Sequence, residues 1–102
     1  MSAQHFYVKL SGPRPTFPSD MTIDERALMQ AHADHMRAQF EAGTVLLYGP
    51  VFAAPVFGVG IYQAESESEA RRLVEADPSV AGGLNQYEIA PMRVVASQAA
   101  SS

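Results

Sequence analysis

The sequence predicts an α+β fold in the order βαββαβ, with an antiparallel four-stranded sheet carrying two helices on one face. Three observations carry that prediction. Short segments rich in β-branched and aromatic residues recur between glycines and prolines. Two stretches of helical periodicity open with the sequence of a capping box, at Thr22 to Glu25 and at Ser66 to Glu69. Each of those stretches stands between two of the strand-like segments, so the elements alternate in one fixed order.

Residues 4–10 alternate, Phe6, Val8 and Leu10 facing one way and His5, Tyr7 and Lys9 the other, which is the period of a strand. Gly12, Pro13, Pro15 and Pro18 forbid regular structure in the stiff loop that follows. The Thr22 hydroxyl is placed to accept from a free amide of a first turn while Glu25 reaches back. Asp24 and Glu25 complement the positive end of that helix. It is expected to run to Ala42 and to stop at Gly43, which tolerates the left-handed conformation of a C-terminal cap. At about 100° per residue, Met29, Ala33, Met36 and Phe40 form its apolar stripe.

A second strand is expected over 45–48, ended by Gly49 and Pro50, and a third over 56–63 after Pro55. The second helix has Ala70, Leu73 and Val74 as its apolar positions, and Pro78 ends it at Asp77. Gly82 and Gly83 make a turn, and a final strand covers 86–95 with a bend at Pro91. This order is the ferredoxin-like arrangement. One domain is expected over residues 1–96, with a frayed tail of Ala, Ser and Gln at 97–102.

Strands two and three are apolar on both sides, whereas a half-solvated sheet alternates apolar with polar. Two helices cover one face only. The other is expected to meet a second copy of the chain, forming a symmetric homodimer through the sheet. A covering by the proline-rich loop and the C-terminal tail is the alternative.

Composition narrows the function. The chain has 102 residues, of which 47% are hydrophobic and 18% charged, enough apolar material for one core. There is no cysteine, so disulfides and thiolate metal sites are excluded. The net charge is −4 and the seven Lys and Arg residues are scattered, which predicts no nucleic-acid partner. No stretch reaches the ~18 consecutive apolar residues of a membrane span, and residues 1–10 lack the pattern of a signal peptide. The expected setting is the cytoplasm, with no membrane partner.

Candidates for chemistry are few. Of the three histidines, His32 borders the apolar stripe of the first helix, where an imidazole is partly desolvated and still reachable. His35 lies further round and is expected to be wetter. Asp77 continues the Ala70, Leu73, Val74 stripe, at the helix end where the dipole disfavours negative charge, so it calls for a partner. With the helices side by side, His32 is that partner, and a carboxylate on one ring nitrogen leaves the other free as a base. The bland reading makes His32 a surface or structural residue and Asp77-Pro78 a turn. His32 and His35 have metal-ligand spacing but lack a third ligand, so no metal is expected. Gly58 and Gly60 on one strand face mean either close packing by a helix or a hollow for a ligand. No redox-cofactor motif is present, so catalysis is expected to be cofactor-free acid–base work on a small molecule.

Several short motifs then line up. They are Ala31-His32 through Gly43, Leu46-Leu47-Tyr48-Gly49-Pro50, Glu65-Ser66-Glu67-Ser68-Glu69-Ala70-Arg71, Ala76-Asp77-Pro78 through Gly83-Leu84, and Tyr87-Glu88-Ile89-Ala90-Pro91. In that order the chain resembles the YCII-related domain family over roughly residues 6–92. The resemblance implies a ferredoxin-like fold assembled as a dimeric α+β barrel, and an active-site pair of His and Asp that falls on His32 and Asp77. It also implies lyase or isomerase chemistry, since dehydrochlorination of chlorinated hydroxyhydroquinones occurs in the family. Arg14, Phe17, His35, Tyr48, Gly49 and Pro50 are the expected substrate contacts. Two departures stand out: Met29 where many members carry Arg, and Ser79 where an aromatic is frequent. Loss of that Arg removes an anchor for an anionic substrate, leaving the proline-rich loop to supply a different wall. The alternative function is a non-catalytic dimeric module of the same fold that binds a small ligand or serves as a scaffold.

Overall fold

The computed structural model describes residues 3–98. Strands β1 (Gln4–Ser11), β2 (Val45–Val51), β3 (Phe57–Ala64) and β4 (Gln86–Met92) form one sheet in the order β2-β3-β1-β4. Every neighbouring pair is antiparallel. Helices α1 (Ile23–Ala42), α2 (Glu67–Glu75) and the four-residue α3 (Pro78–Ala81) lie with their contacts on one side of it. This is the ferredoxin-like α+β arrangement. The expected tail at 97–102 lies largely outside the described residues, and 97–98 carry no regular structure.

The alternation in the sequence becomes two unlike faces. Phe6 and Val8 of β1 stand opposite Tyr62 and Gly60 of β3, and all four are buried with Met36, Val45, Ala64, Ala70 and Val74 around them. Their neighbours on the opposite face, Tyr7, Lys9, Val59 and Ile61, all stay partly exposed. The proline-rich loop borders only one end of that face, where Pro13 to Pro15 lie near Lys9 and Phe57. Its Phe17 is 7% exposed and folds to the helix side.

α1 begins with the complete capping box: Glu25 N donates to Thr22 Oγ1 at 3.1 Å, and Thr22 N to Glu25 Oε1 at 3.0 Å. It ends at Gly43 with φ 84°. Only Met36 of its apolar stripe is fully buried, and Phe40 is 42% exposed against Tyr48. Met29 and Ala33 face a hollow between helix and sheet instead of packing on it. At α2, Glu69 N donates to Ser66 Oγ as expected, but the Glu69 carboxylate accepts from Glu65 N, one residue before the cap.

Beyond shifts of one residue at β1 and β3, three larger differences from the sequence reading appear. β2 continues through Gly49 and Pro50 to Val51, because it is an edge strand and a proline there breaks no ladder it needs. A register shift between Val45 and Leu47 puts Leu46 into a bulge, so Val45 and Tyr48 share the helix face and Leu47 turns to the open one. β4 stops at Met92, three residues short of the expected 95. The third difference is α3, which packs against both α1 and α2. Asp77 therefore caps the N-terminus of α3, with Pro78 in its first turn, and does not merely close α2. The dipole that meets its carboxylate is the favourable one.

Candidate functional site

His32 sits one turn before the buried Met36, on the side of α1 that faces α3. Its Nδ1 lies 2.7 Å from Asp77 Oδ2, across 45 positions of chain. Asp77 is fully buried, while the His32 side chain keeps 18% of its surface. A carboxylate only accepts, so the proton between them belongs to Nδ1 and the Nε2 lone pair is left over. Among the described residues Nε2 has no partner, and it is not buried.

Burial by itself pushes the Asp77 carboxyl up, and its hydrogen bond and charge interaction with His32, followed by the Ser79 amide and hydroxyl, outweigh this and hold it below the ordinary value. Its other oxygen, Oδ1, accepts from Ser79 N and Ser79 Oγ, both at 2.9 Å. No lysine or arginine enters this set. Ser79 Oγ in turn lies 2.9 Å from Asn85 Nδ2. The chain returns there because Leu84 N and Asn85 N both donate to Ser79 O, after a turn that Gly83 makes at φ 79°. The sequence reading missed Ser79 and Asn85. Asp-Pro-Ser is the start signal of a capped helix, which would have placed Ser79; nothing local marks Asn85.

His32 opens onto a cavity of about 280 Å³ between α1 and the sheet. Val8, Leu10 and Gly58 lie along its sheet side, and Phe17, Met29, Tyr48 and Pro50 wall it, with Asn85 also in the lining. The two glycines of β3 have separate tasks. A Cβ on Gly60 would meet the Tyr62 ring at 3.0 Å, so that glycine permits close packing. A Cβ on Gly58 would meet only Leu10 Cβ at 3.7 Å, so that glycine leaves space. Tyr62 points its hydroxyl at Met36 Sδ, 3.3 Å away, and burial with the nearby Asp77 charge pushes its phenol well up.

The structure thus brings His32, Phe17, Tyr48, Gly49 and Pro50 to one cavity with Asp77 behind it. Two expected contacts lie elsewhere. Arg14 binds Glu25 through both terminal nitrogens at 2.8 and 2.7 Å, and also Asp20, which ties the loop to the start of α1. Its role toward the cavity is indirect, since it stands over the Phe17 ring at 5.8 Å. His35 is half-buried where the sequence reading expects it wetter, and its Nε2 is buried with no partner among the described residues, away from the cavity lining. Among the described residues no three His, Cys, Asp or Glu side chains group to hold a metal ion, and no helix is long and apolar enough to cross a membrane.

Residues 6–93 match the family model described as YCII-related domain, a span that takes in β1 from Phe6 onward, the other three strands and the whole His32, Asp77, Ser79, Asn85 set. No curated protein matches the chain.

Proposed function

The chain belongs to the YCII-related domain family, and from this geometry we propose that it is a cofactor-independent acid–base enzyme acting on a small aromatic or enolic molecule. One observation carries the reading: His32 is held at Nδ1 by a buried carboxylate while Nε2 faces an apolar cavity. In that state Nε2 takes a proton from a hydroxyl or an activated carbon of the substrate. Asp77 stabilises the imidazolium that forms and fixes the ring in one orientation. The electron pair left on the substrate then forms a new π bond. A leaving group departs with its own pair in a lyase, or the proton returns at another atom in an isomerase. Neither course needs an electron acceptor.

The test uses a panel of halogenated polyhydroxybenzenes and enolisable ketones, followed for halide release or for solvent deuterium uptake. His32→Gln keeps the size and a polar tip but has no basic nitrogen. Its turnover is expected to fall by about 10² to 10⁴, the usual worth of a positioned general base. Unchanged turnover in that variant ends the proposal.

The same reading pairs two copies through the open sheet face. Its support is the row of Leu47, Phe57, Val59 and Ile61 on that face, with Leu47 54% exposed. Sedimentation equilibrium is expected to give twice the chain mass for the native protein and the single mass for Val59→Asp. A native monomer at micromolar concentration rejects the pairing and leaves the site untouched.

A further inference from the structure

The orientation of the Asn85 side chain follows from a chain of donors that begins at Asp77. The Asp77 carboxyl, held below its ordinary value, is an acceptor only at neutral pH. Ser79 has one hydroxyl proton, and Asp77 Oδ1 at 2.9 Å receives it. Ser79 Oγ must then accept from Asn85, 2.9 Å away, which identifies that atom as the amide nitrogen. Met29 Sδ, at 3.6 Å, takes the second amide proton. The carbonyl Oδ1 of Asn85 is what remains. It has no partner among the described residues and is not buried, although the residue as a whole is only 6% exposed and lines the cavity.

We infer that Asn85 is the specificity-determining residue of this cavity, and that it selects a neutral ligand presenting a hydroxyl or N–H to its carbonyl oxygen. Three features of the lining agree with this. Among the described residues no lysine, arginine, aspartate or glutamate lines the cavity, so no ionic partner awaits a charged ligand. Two of its lining side chains, His32 through Nε2 and Asn85 through Oδ1, offer acceptors, and lone pairs repel an anion. Met29 brings no charge to the lining and contributes a thioether that helps hold the amide in place. The apolar wall of Phe17, Val8 and Leu10 takes the body of the ligand. The inference rests on the acid–base reading for what happens after binding, but its readout is binding alone.

Phenol and anisole are the probes, since they share a ring and differ in the O–H donor; benzoate supplies the anion. Ligand-observed NMR titration of the full chain is expected to show phenol binding about three- to tenfold tighter than anisole, the worth of one neutral hydrogen bond, with benzoate the weakest. Asn85→Leu is expected to bring the phenol-to-anisole ratio to near one with anisole affinity unchanged. Ser79→Ala keeps Asn85 and removes the acceptor that orients it, so the amide is freed to turn and the ratio falls as well. Equal binding of phenol and anisole by the native chain overturns the inference without any variant, as does a failure of phenol to bind at millimolar concentration. A ratio that survives Asn85→Leu but disappears in His32→Gln also overturns it, and assigns the donor to the imidazole. That last result leaves the acid–base reading standing, whereas unchanged turnover in His32→Gln removes that reading and leaves the Asn85 selectivity intact.

Discussion

Two carboxylate clusters lie along α1, one at its start and one at its middle, and they differ in every respect that matters for chemistry. At the N-terminus, Arg14 joins Glu25 and Asp20 in an exposed network with a permanent cation at its centre. Hydrogen bonds from Arg14, with help from the Thr22 amide, hold the Glu25 carboxyl down at about 2. In the middle of the helix, Asp77 is fully buried and has only an imidazole, a hydroxyl and an amide around it. The stronger charge pairing is at the surface, where water and salt weaken it. The weaker set is inside, where each donor is needed because no solvent replaces it. A proton can move through the second cluster and not the first, since guanidinium does not give one up.

Removing the buried acceptor is the largest test of that contrast. Asp77→Ala leaves Ser79 N, Ser79 Oγ and His32 Nδ1 without their common partner. It is expected to cost about 3 kcal/mol in urea unfolding, the range for stripping a buried group that several donors share. A loss under about 1 kcal/mol would show that the buried set is no more than the surface one.

Acid separates the two clusters next. Asp77 has a folded value below its unfolded one, so its contribution is complete above the unfolded value and is lost as pH falls through the folded one. Asp20 and Glu25 follow the same sign. Unfolding curves are therefore expected to weaken steadily below about pH 4, near the unfolded value of a carboxyl. In Asp77→Asn the acid loss is expected to be shallower, and raising the salt concentration to remove little of the remaining difference between this variant and the native chain. Parallel acid curves for the native chain and the Asp77→Asn variant would place the titration elsewhere.

The smallest effect is expected at the surface. Arg14→Ala should shift the urea midpoint less than either Asp77 change, and 1 M salt should abolish most of that shift. Its loss is also expected to loosen Phe17 over the cavity, read as weaker anisole binding with no change in the phenol-to-anisole ratio. A salt-independent shift as large as that of Asp77→Ala would overturn the division between the two clusters.

The part of this protein legible from its residues was the part set by neighbours in the chain. Thr22 with Glu25 and Gly43 mark the two ends of α1, because a cap needs only the amides or carbonyls of its own turn. The strand alternation at Phe6 and Val8 named the core face for the same local reason. His32 and Asp77 could be nominated from helix stripes and from family likeness, but the sign of the dipole at Asp77 was misread. Pro78 both ends one helix and starts the next, and the four residues of α3 show too little periodicity to announce themselves.

What the amino-acid order determined alone was which segments are helix or strand and which of their sides is apolar, since those are short-range properties of φ, ψ and side-chain spacing. The tertiary structure decided the rest: the bulge at Leu46, the assignment of Arg14 to the loop, and the line of donors from Asn85 through Ser79 to Asp77. Hydrogen bonds between residues far apart in the chain depend on how layers meet, and a single proton placed at Ser79 settles which atom of Asn85 is left without a partner.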